Sequence, residues 1–242
     1  MLRLFQKPYV FGGPSLELLT TLMREQINER PPVRNGDLQT LCSDVRPGTA
    51  LILDGLFGSE LAINPTEIRQ AMEAGWQVYG AASMGAMRAA ELWPLGMIGL
   101  GDVYNLLRSG CLSSDADMAV LYVSTHFREA TISMVHIQFL LNHMHRCHHL
   151  PTLQARKMKL AAQHIYWTER TLGQVLAAWH SIAIEEQHIN IFSQLVGDPS
   201  LHPKKRDGYY ATAILLAQQW VDVYDLHSDA KNKDDTAGDR CS

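Results

Sequence analysis

The sequence lacks paired cysteines: Cys42, Cys111, Cys147 and Cys241 are scattered over 242 residues, and no two form a CxxC motif. That spacing excludes a zinc ribbon and a dithiol redox motif, and it makes a reduced, cytoplasmic setting the expectation. Long apolar runs are also missing. None approaches the roughly 18 to 20 residues that cross a bilayer, so no membrane association is expected. The opening MLRLFQKPYVFGG is interrupted by Lys7, Pro8 and Gly12, which leaves no signal-peptide core. Nor is there an excess of positive charge. Lys and Arg number 21 against 25 Asp and Glu, a net charge of −4, which argues against a general nucleic-acid binder. No HExxH motif and no repeat at solenoid periods are present.

What remains is the composition of an ordinary globular protein, 46% apolar and 19% charged, in a chain long enough for one large domain or one domain with a helical annex. Through residue 125, short apolar runs alternate with helix-like segments. This predicts an α/β fold with a mostly parallel sheet and flanking helices in the N-terminal half. Strands are expected in PYVFGG (8–13), TALILDG (49–55) and WQVYGA (76–81). Ser15 is placed to cap a helix LELLTTLMREQI, Asn64 or Thr66 to cap TEIRQAMEAG, and Gly75 to end it. A short strand and helix are expected within PPVRNGDLQTLCSDVRPG. From residue 126 the texture becomes helical, with helices read over 128–147, 152–190 with breaks, and 208–222. The organisation is therefore an α/β core over 1–125, a helical region over 126–226 that packs on the core or binds a partner, and a disordered tail over 227–242.

One stretch carries candidate chemistry. WQVYGAASMGAMRAAEL, residues 76–92, reads as a strand, a tight Gly/Ala turn and a helix, so Ser83 falls at the carboxyl end of a strand, where open α/β sheets keep their ligands. The small residues Gly80, Ala81, Ala82, Gly85 and Ala86 permit close backbone approach, and helix-start amides can hold an anion. The pattern is a partial match to a nucleophile elbow, with Ala81 where that motif has its first glycine. Two readings stand side by side: Ser83 as a site residue, or Ser83 as a helix N-cap. Arg88 and Glu91 share a helix face and either pair at the surface or point into the cleft. Asp54 ends its own strand and either orients a base or water near Ser83 or ties down the turn DGLF. A serine nucleophile needs a base, and no histidine is placed within reach by the sequence.

Elsewhere, His143, His145, His148, His149 and nearby Cys147 have spacings compatible with a transition-metal site, weighed against a polar helix end whose histidines meet its carbonyls. With no carboxylate partner beside them, no metal is assigned. PKKRDG, residues 203–208, reads as a solvated basic turn.

Taken together, VYGAASMGAMRAAEL, LFGSELAINPTEI after Asp54, FGGPSL (11–16), PPVRNGD (31–37) and WPLGMIGLGDVYNLLRSGCLSSDADMAVLY resemble the TfuA-like family, in order and spacing, over roughly the first 125 residues. The resemblance implies a partner of a YcaO protein, an ATP-using enzyme that activates a backbone amide, in the installation of thioamides in peptides or proteins. It implies that the chain recruits a sulfur donor, a ThiS-like carrier with a C-terminal thiocarboxylate, and releases its sulfur, with a precursor peptide as a further partner and no cofactor of its own. The shared positions fall on Gly13, Pro14, Ser15, Asp54, Gly55, Phe57, Glu67, Gly80, Ser83, Met84, Gly85, Arg88, Glu91, Asp115 and Asp117. The sequence departs from the family at Pro65, where some members carry a histidine, and at Ala116, where many are acidic.

On that footing Ser83 is expected to act as nucleophile or oxyanion organiser, with Asp54 or Glu91 orienting it or a water and Arg88 holding the carboxyl-like end of the carrier tail. Gly13, Pro14, Ser15, Gly55, Phe57, Glu67, Gly80, Met84 and Gly85 are the expected substrate-binding residues. The chain is then a hydrolase acting on the carrier thiocarboxylate. The competing class is a non-catalytic scaffold or allosteric activator that docks YcaO and carrier; a third, a serine hydrolase of small esters, lacks its histidine.

Overall fold

A computed structural model describes residues 6–219, apart from 59, 113 and 124–126. The expected tail over 227–242, and the end of the helix expected to reach 222, lie outside the described residues.

Five parallel strands form the sheet: β1 (Tyr9–Phe11), β2 (Asn28–Arg30), β3 (Thr49–Ile52), β4 (Gln77–Gly80) and β5 (Ile98–Gly99), in the order β2-β1-β3-β4-β5. Tyr9 pairs with Ala50 and Ala50 with Val78, so the central strands are in register. Successive side chains on a strand point to opposite faces, and the two apolar clusters follow that period. Tyr9, Phe11, Ala50, Ile52 and Val78 belong to one cluster, and Val10, Leu51 and Leu53 to the other. A parallel sheet buries both faces, which is why these runs read as continuously apolar.

The first face is covered by α2 (Asp37–Asp44), α3 (Pro65–Glu73) and α4 (Met84–Leu92), through Leu38, Leu41, Ile68, Ala71, Ala89 and Leu92. Asn64 caps α3, its Oδ1 accepting from the Thr66 amide at 2.8 Å, and Gly75 leaves that helix at φ 93°. The second face is covered by a helix from the far end of the chain, 203–219, through Ala211, Leu215 and Leu216. Between these lie α5 (Gly101–Arg108), α6 (Asp115–Met118) and the hairpin of β6 (Tyr122–Val123) with β7 (Arg128–Glu129). The helices α7 (Met134–Arg146), α8 (Thr152–Gln163), α9 (Leu172–Ser181) and α10 (Glu186–Leu195) share their own core, in which Trp179 stands edge-on to Phe192 and donates its indole N–H to the Met158 carbonyl at 2.8 Å. The architecture is thus a parallel α/β half followed by a mostly helical half. Among the described residues no helix is long and apolar enough to cross a membrane.

Several local expectations are corrected. LELLTTLMREQI is not one helix: Pro14–Leu16 forms a 3-10 turn and only Thr21–Arg24 (α1) is helical, with Thr20 as its cap in place of Ser15. The chain must turn there to enter β2, a polar strand that lies before PPVRNGD, not inside it. The helix expected from 128 begins at 134, because Arg128 and Glu129 pair with Val123 and Tyr122. PKKRDG is not a solvated turn. It opens the helix 203–219, with Lys204 1% and Asp207 2% exposed, because each has a distant partner described below.

Candidate functional site

The turn between β4 and α4 is under unusual backbone constraint. Ala82 sits in the left-handed region at φ 65°, a conformation that costs a residue with a Cβ about 1 kcal/mol or more. A Cβ on Gly85 would collide with the Ile52 carbonyl, and one on Gly80 with the Gly85 carbonyl, so both glycines are required for strand and helix to approach this closely. The arrangement spends the local amides. Ser83 N–H donates to the Leu53 and Ala81 carbonyls, Gly85 N–H to Leu53 and Ala86 N–H to Ala81. The helix start is therefore largely committed to the backbone, which corrects the expectation of a ready anion cradle there. Ser83 stands at the N-cap position, yet its side chain makes no cap hydrogen bond. Its Oγ is fully buried and unpartnered among the described residues.

Asp54 lies past the end of β3, adjacent to the strand that leads to Ser83, but its carboxylate faces the other neighbour. Oδ2 accepts the amides of Gly13 and Ser15 at 2.8 and 2.9 Å, and Oδ1 accepts the Ser15 hydroxyl at 2.7 Å. Asp54 therefore fixes the turn after β1, neither its own turn nor Ser83. Burial pushes its pKa up, with the Ser15 and Gly13 hydrogen bonds and the nearby Lys204 charge opposing. Glu67 has an equally local task. Its two oxygens accept from Gly36, Leu38 and Gln39 amides at 2.8 to 3.0 Å, so it caps the N-terminus of α2 from the neighbouring α3.

Arg88 and Glu91 form the surface pair, at 2.7 Å, and Arg88 Nε also donates to the Ile63 carbonyl at 3.0 Å. The same guanidinium lines a pocket of about 400 Å³ with Asn35, Phe57, Met84, Asp115 and Trp167. The two earlier readings of Arg88 are thus compatible: Glu91 sets its orientation while the side chain, 12% exposed, forms part of a wall. Phe57 leans against Trp167 with ring centroids 6.4 Å apart. Gly55 backs onto the Met84 side chain and pairs with Val33. Trp167 was not legible as a site residue, because nothing near it in sequence marks a cleft.

A second polar cluster was missed altogether. Glu129 accepts from His202 Nε2 at 3.0 Å and is 3.4 Å from Lys204 Nζ, which donates to the Met118 carbonyl at 2.8 Å. The Lys204 and His202 charges hold the Glu129 carboxyl well below the usual carboxylate range against its burial. His136 stacks on His202 with ring centroids 4.0 Å apart, and burial drives its pKa far down, so it is neutral. Tyr122, beside Asp54 and Glu129, has a buried hydroxyl without a partner among the described residues, and burial raises its pKa well above normal. PKKRDG was the available signal, but its charge partner lies 75 positions away.

The 143–149 histidines point elsewhere: His145 Nδ1 meets the Leu150 carbonyl at 2.9 Å, and His143 Nε2 is 3.8 Å from Cys147 Sγ. Among the described residues no three His, Cys, Asp or Glu side chains converge as a metal site.

No curated protein matches the chain. The model of the TfuA-like protein family matches residues 54–171, starting at Asp54 and running through the helices to Thr171, farther toward the C-terminus than the motifs in the first 125 residues reach. All the residues lining the Arg88 pocket except Asn35 fall inside that span. Residues 54–171 of this chain, the β4 turn and the Arg88 pocket among them, are TfuA-like.

Proposed function

We propose that the protein is the partner of a YcaO-type enzyme in backbone thioamide formation, and that the Arg88 pocket receives the C-terminal tail of a thiocarboxylated, ThiS-like carrier. The observation that carries this reading is the coincidence of pocket and family: a cavity of about 400 Å³ is built almost wholly from the TfuA-like segment. Arg88 offers a planar donor to the thiocarboxylate, with orientation set by Glu91 and Ile63. Asp115, also in the lining, suits the amide N–H groups of the tail, and Phe57 and Trp167 supply flat apolar sides.

The finer step is hydrolysis of the thiocarboxylate, with Ser83 as nucleophile. Its hydroxyl adds to the thioacid carbon, the C–S bond breaks, hydrosulfide leaves, and water then cleaves the acyl-serine ester to regenerate the hydroxyl and a carrier carboxylate. Ser83 directly precedes Met84 of the pocket wall, on the strained turn, and its hydroxyl is bonded to no other described residue. Because Oγ is buried, this chemistry requires the wall at Met84 to yield when the tail enters. The test is sulfide release from a thiocarboxylated carrier by the isolated protein, without YcaO or ATP. Release that vanishes in Ser83→Ala supports the reading; a protein that binds carrier and YcaO but frees no sulfide is a scaffold.

A further inference from the structure

The charges of the helical half are sorted by sign. Residues 134–181, which supply α7, α8 and α9, hold a single carboxylate, Glu169, in the loop before α9, although the chain as a whole is net negative. Arg146 ends α7, and Arg156, Lys157 and Lys159 lie on α8. In the α/β half, Arg24, Arg34, Arg69 and Arg88 each pair with a carboxylate at most five positions away. The four cations of α7 and α8 have no such neighbour in sequence, and none has an ion pair among the described residues.

The outward face of α8 is also apolar at two points. Met158 and Ala162 are buried in the core shared with α7 and α9, while Leu153 and Leu160 are 64% and 55% exposed. The two leucines are two helical turns apart, so they share one face with Arg156 and Lys157 between them. One exposed leucine is ordinary; two that flank unpaired cations have the mixed apolar and charged make-up of a protein interface. Beside this face, between α7 and α8, lies a cavity of about 160 Å³ whose lining includes Asn142, His145, Arg156 and Lys159 and no carboxylate. It is smaller than the roughly 300 Å³ at which ligand pockets begin, and suits a single side chain of a larger partner. The link to the Arg88 pocket is short. From the end of α8 at Gln163 it is four positions to Trp167 of the pocket wall, and Tyr166, exposed just before it, has its ring centroid 5.9 Å from that of Trp167.

We propose that the outer face of α8 docks the folded body of the protein whose C-terminal tail the Arg88 pocket receives, and that this body presents an acidic surface with an apolar contact point, one carboxylate entering the cavity between α7 and α8. The inference rests on the carrier reading of the Arg88 pocket. A nucleic acid fits this face poorly, because four cations neutralise few phosphates and the leucines offer no stacking surface for bases. A bilayer fits it poorly as well, because two leucines are a narrow apolar face for an interfacial helix. Charge attraction of this kind steers encounter and weakens as salt is added.

The experiment titrates the full-length protein by calorimetry with two probes, the intact ThiS-like carrier in its carboxylate form and the same carrier lacking its C-terminal tail. The truncated carrier should still bind, with an affinity that falls as ionic strength rises. Arg156→Gln combined with Lys157→Gln should weaken that binding about tenfold or more, and Leu153→Ala combined with Leu160→Ala should weaken it at every salt concentration. All four side chains are exposed, so unchanged urea midpoints are expected and certify the fold. Arg69→Gln, which removes a cation already paired with Glu73 on α3, is the control and should bind like wild type. Binding of the intact carrier without binding of the truncated form, or equal affinity in wild type and the Arg156→Gln, Lys157→Gln protein, overturns the docking face and leaves the tail site standing. Failure of the intact carrier to bind at all overturns both. A short DNA duplex or phosphatidylserine vesicles bound as tightly as the carrier, and lost in the same variant, overturn the assignment to an acidic protein.

Discussion

Ser15 and Asp54, 39 positions apart, are joined twice, the hydroxyl donating to Oδ1 at 2.7 Å and the amide to Oδ2 at 2.9 Å. With the Gly13 amide this makes Asp54 the acceptor that shapes the turn after β1. Asp54→Ala leaves three donors unmatched and should cost about 2–4 kcal/mol in urea unfolding. Asp54→Asn keeps an acceptor and should lose less than half as much. If Asp54→Asn also keeps sulfide release, the residue acts through the turn; if it abolishes release in a folded protein, Asp54 belongs to the chemistry.

Ser83→Ala separates stability from activity. Removing a buried hydroxyl that has no partner among the described residues should leave stability unchanged or raise it by up to about 1 kcal/mol, while sulfide release falls to background. A destabilised Ser83→Ala protein would show that the hydroxyl has a structural partner after all.

Gly85→Ala should prevent normal folding or cost more than about 3 kcal/mol, since the new Cβ meets the Ile52 carbonyl, a backbone atom that cannot move aside. Gly173→Ala is the control. It lies in α9 with only the Thr171 hydroxyl within 4.0 Å, and should stabilise by about 0.5–1 kcal/mol.

Asp207 accepts the amides of Asp102 and Val103 at 2.9 and 2.8 Å and so caps α5, yet burial pushes its pKa from 3.8 up to about 6. A carboxyl raised in the folded state binds its proton more tightly there than in the unfolded chain. Its contribution is complete below pH 3.8 and is lost as pH rises through about 6, on the order of 2–3 kcal/mol. Denaturant midpoints of wild type should decline across that window, and the decline should be absent in Asp207→Asn. Glu129, whose pKa is lowered, acts oppositely: its contribution is lost as pH falls below the usual 4.5.

Arg88→Gln should weaken carrier binding about tenfold or more in a direct titration, with Arg88→Lys recovering only part of it, because an ammonium cannot reproduce the fork held by Glu91 and Ile63.

The legible parts of the molecule are those whose cause is local. YVF, TALI and the strand before Ser83 declare a buried parallel sheet by composition, and Asn64 and Gly75 mark the ends of α3 within their own segment. NER in β2 does not, because an edge strand with two exposed positions carries no apolar signal. The misread residues are those whose partners are remote. Glu67 looked like a ligand-binding carboxylate but faces amides 28 to 31 positions away, and Lys204 looked solvated although Glu129 and Met118 enclose it. The Arg88 pocket was half legible: Phe57, Met84, Arg88 and Asp115 lie in marked motifs, whereas Trp167 arrives from a helical region with no motif of its own.

The helix 203–219 gives the molecule a late-closing step. Gly208 abuts the Ser15 carbonyl beyond β1, and Asp207 reaches α5 beyond β5, so one helical turn, near the end of the described chain, links the carboxyl edge from β1 to β5. These contacts join residues more than 100 positions apart, and loops of that length are slow to close. A ribosome must therefore synthesise the chain through the helix 203–219 before the sheet gains its second apolar cover. Until then, Val10, Leu53 and Ala82 have no such partner, and a chain halted early presents a sticky, unfinished surface to chaperones and proteases.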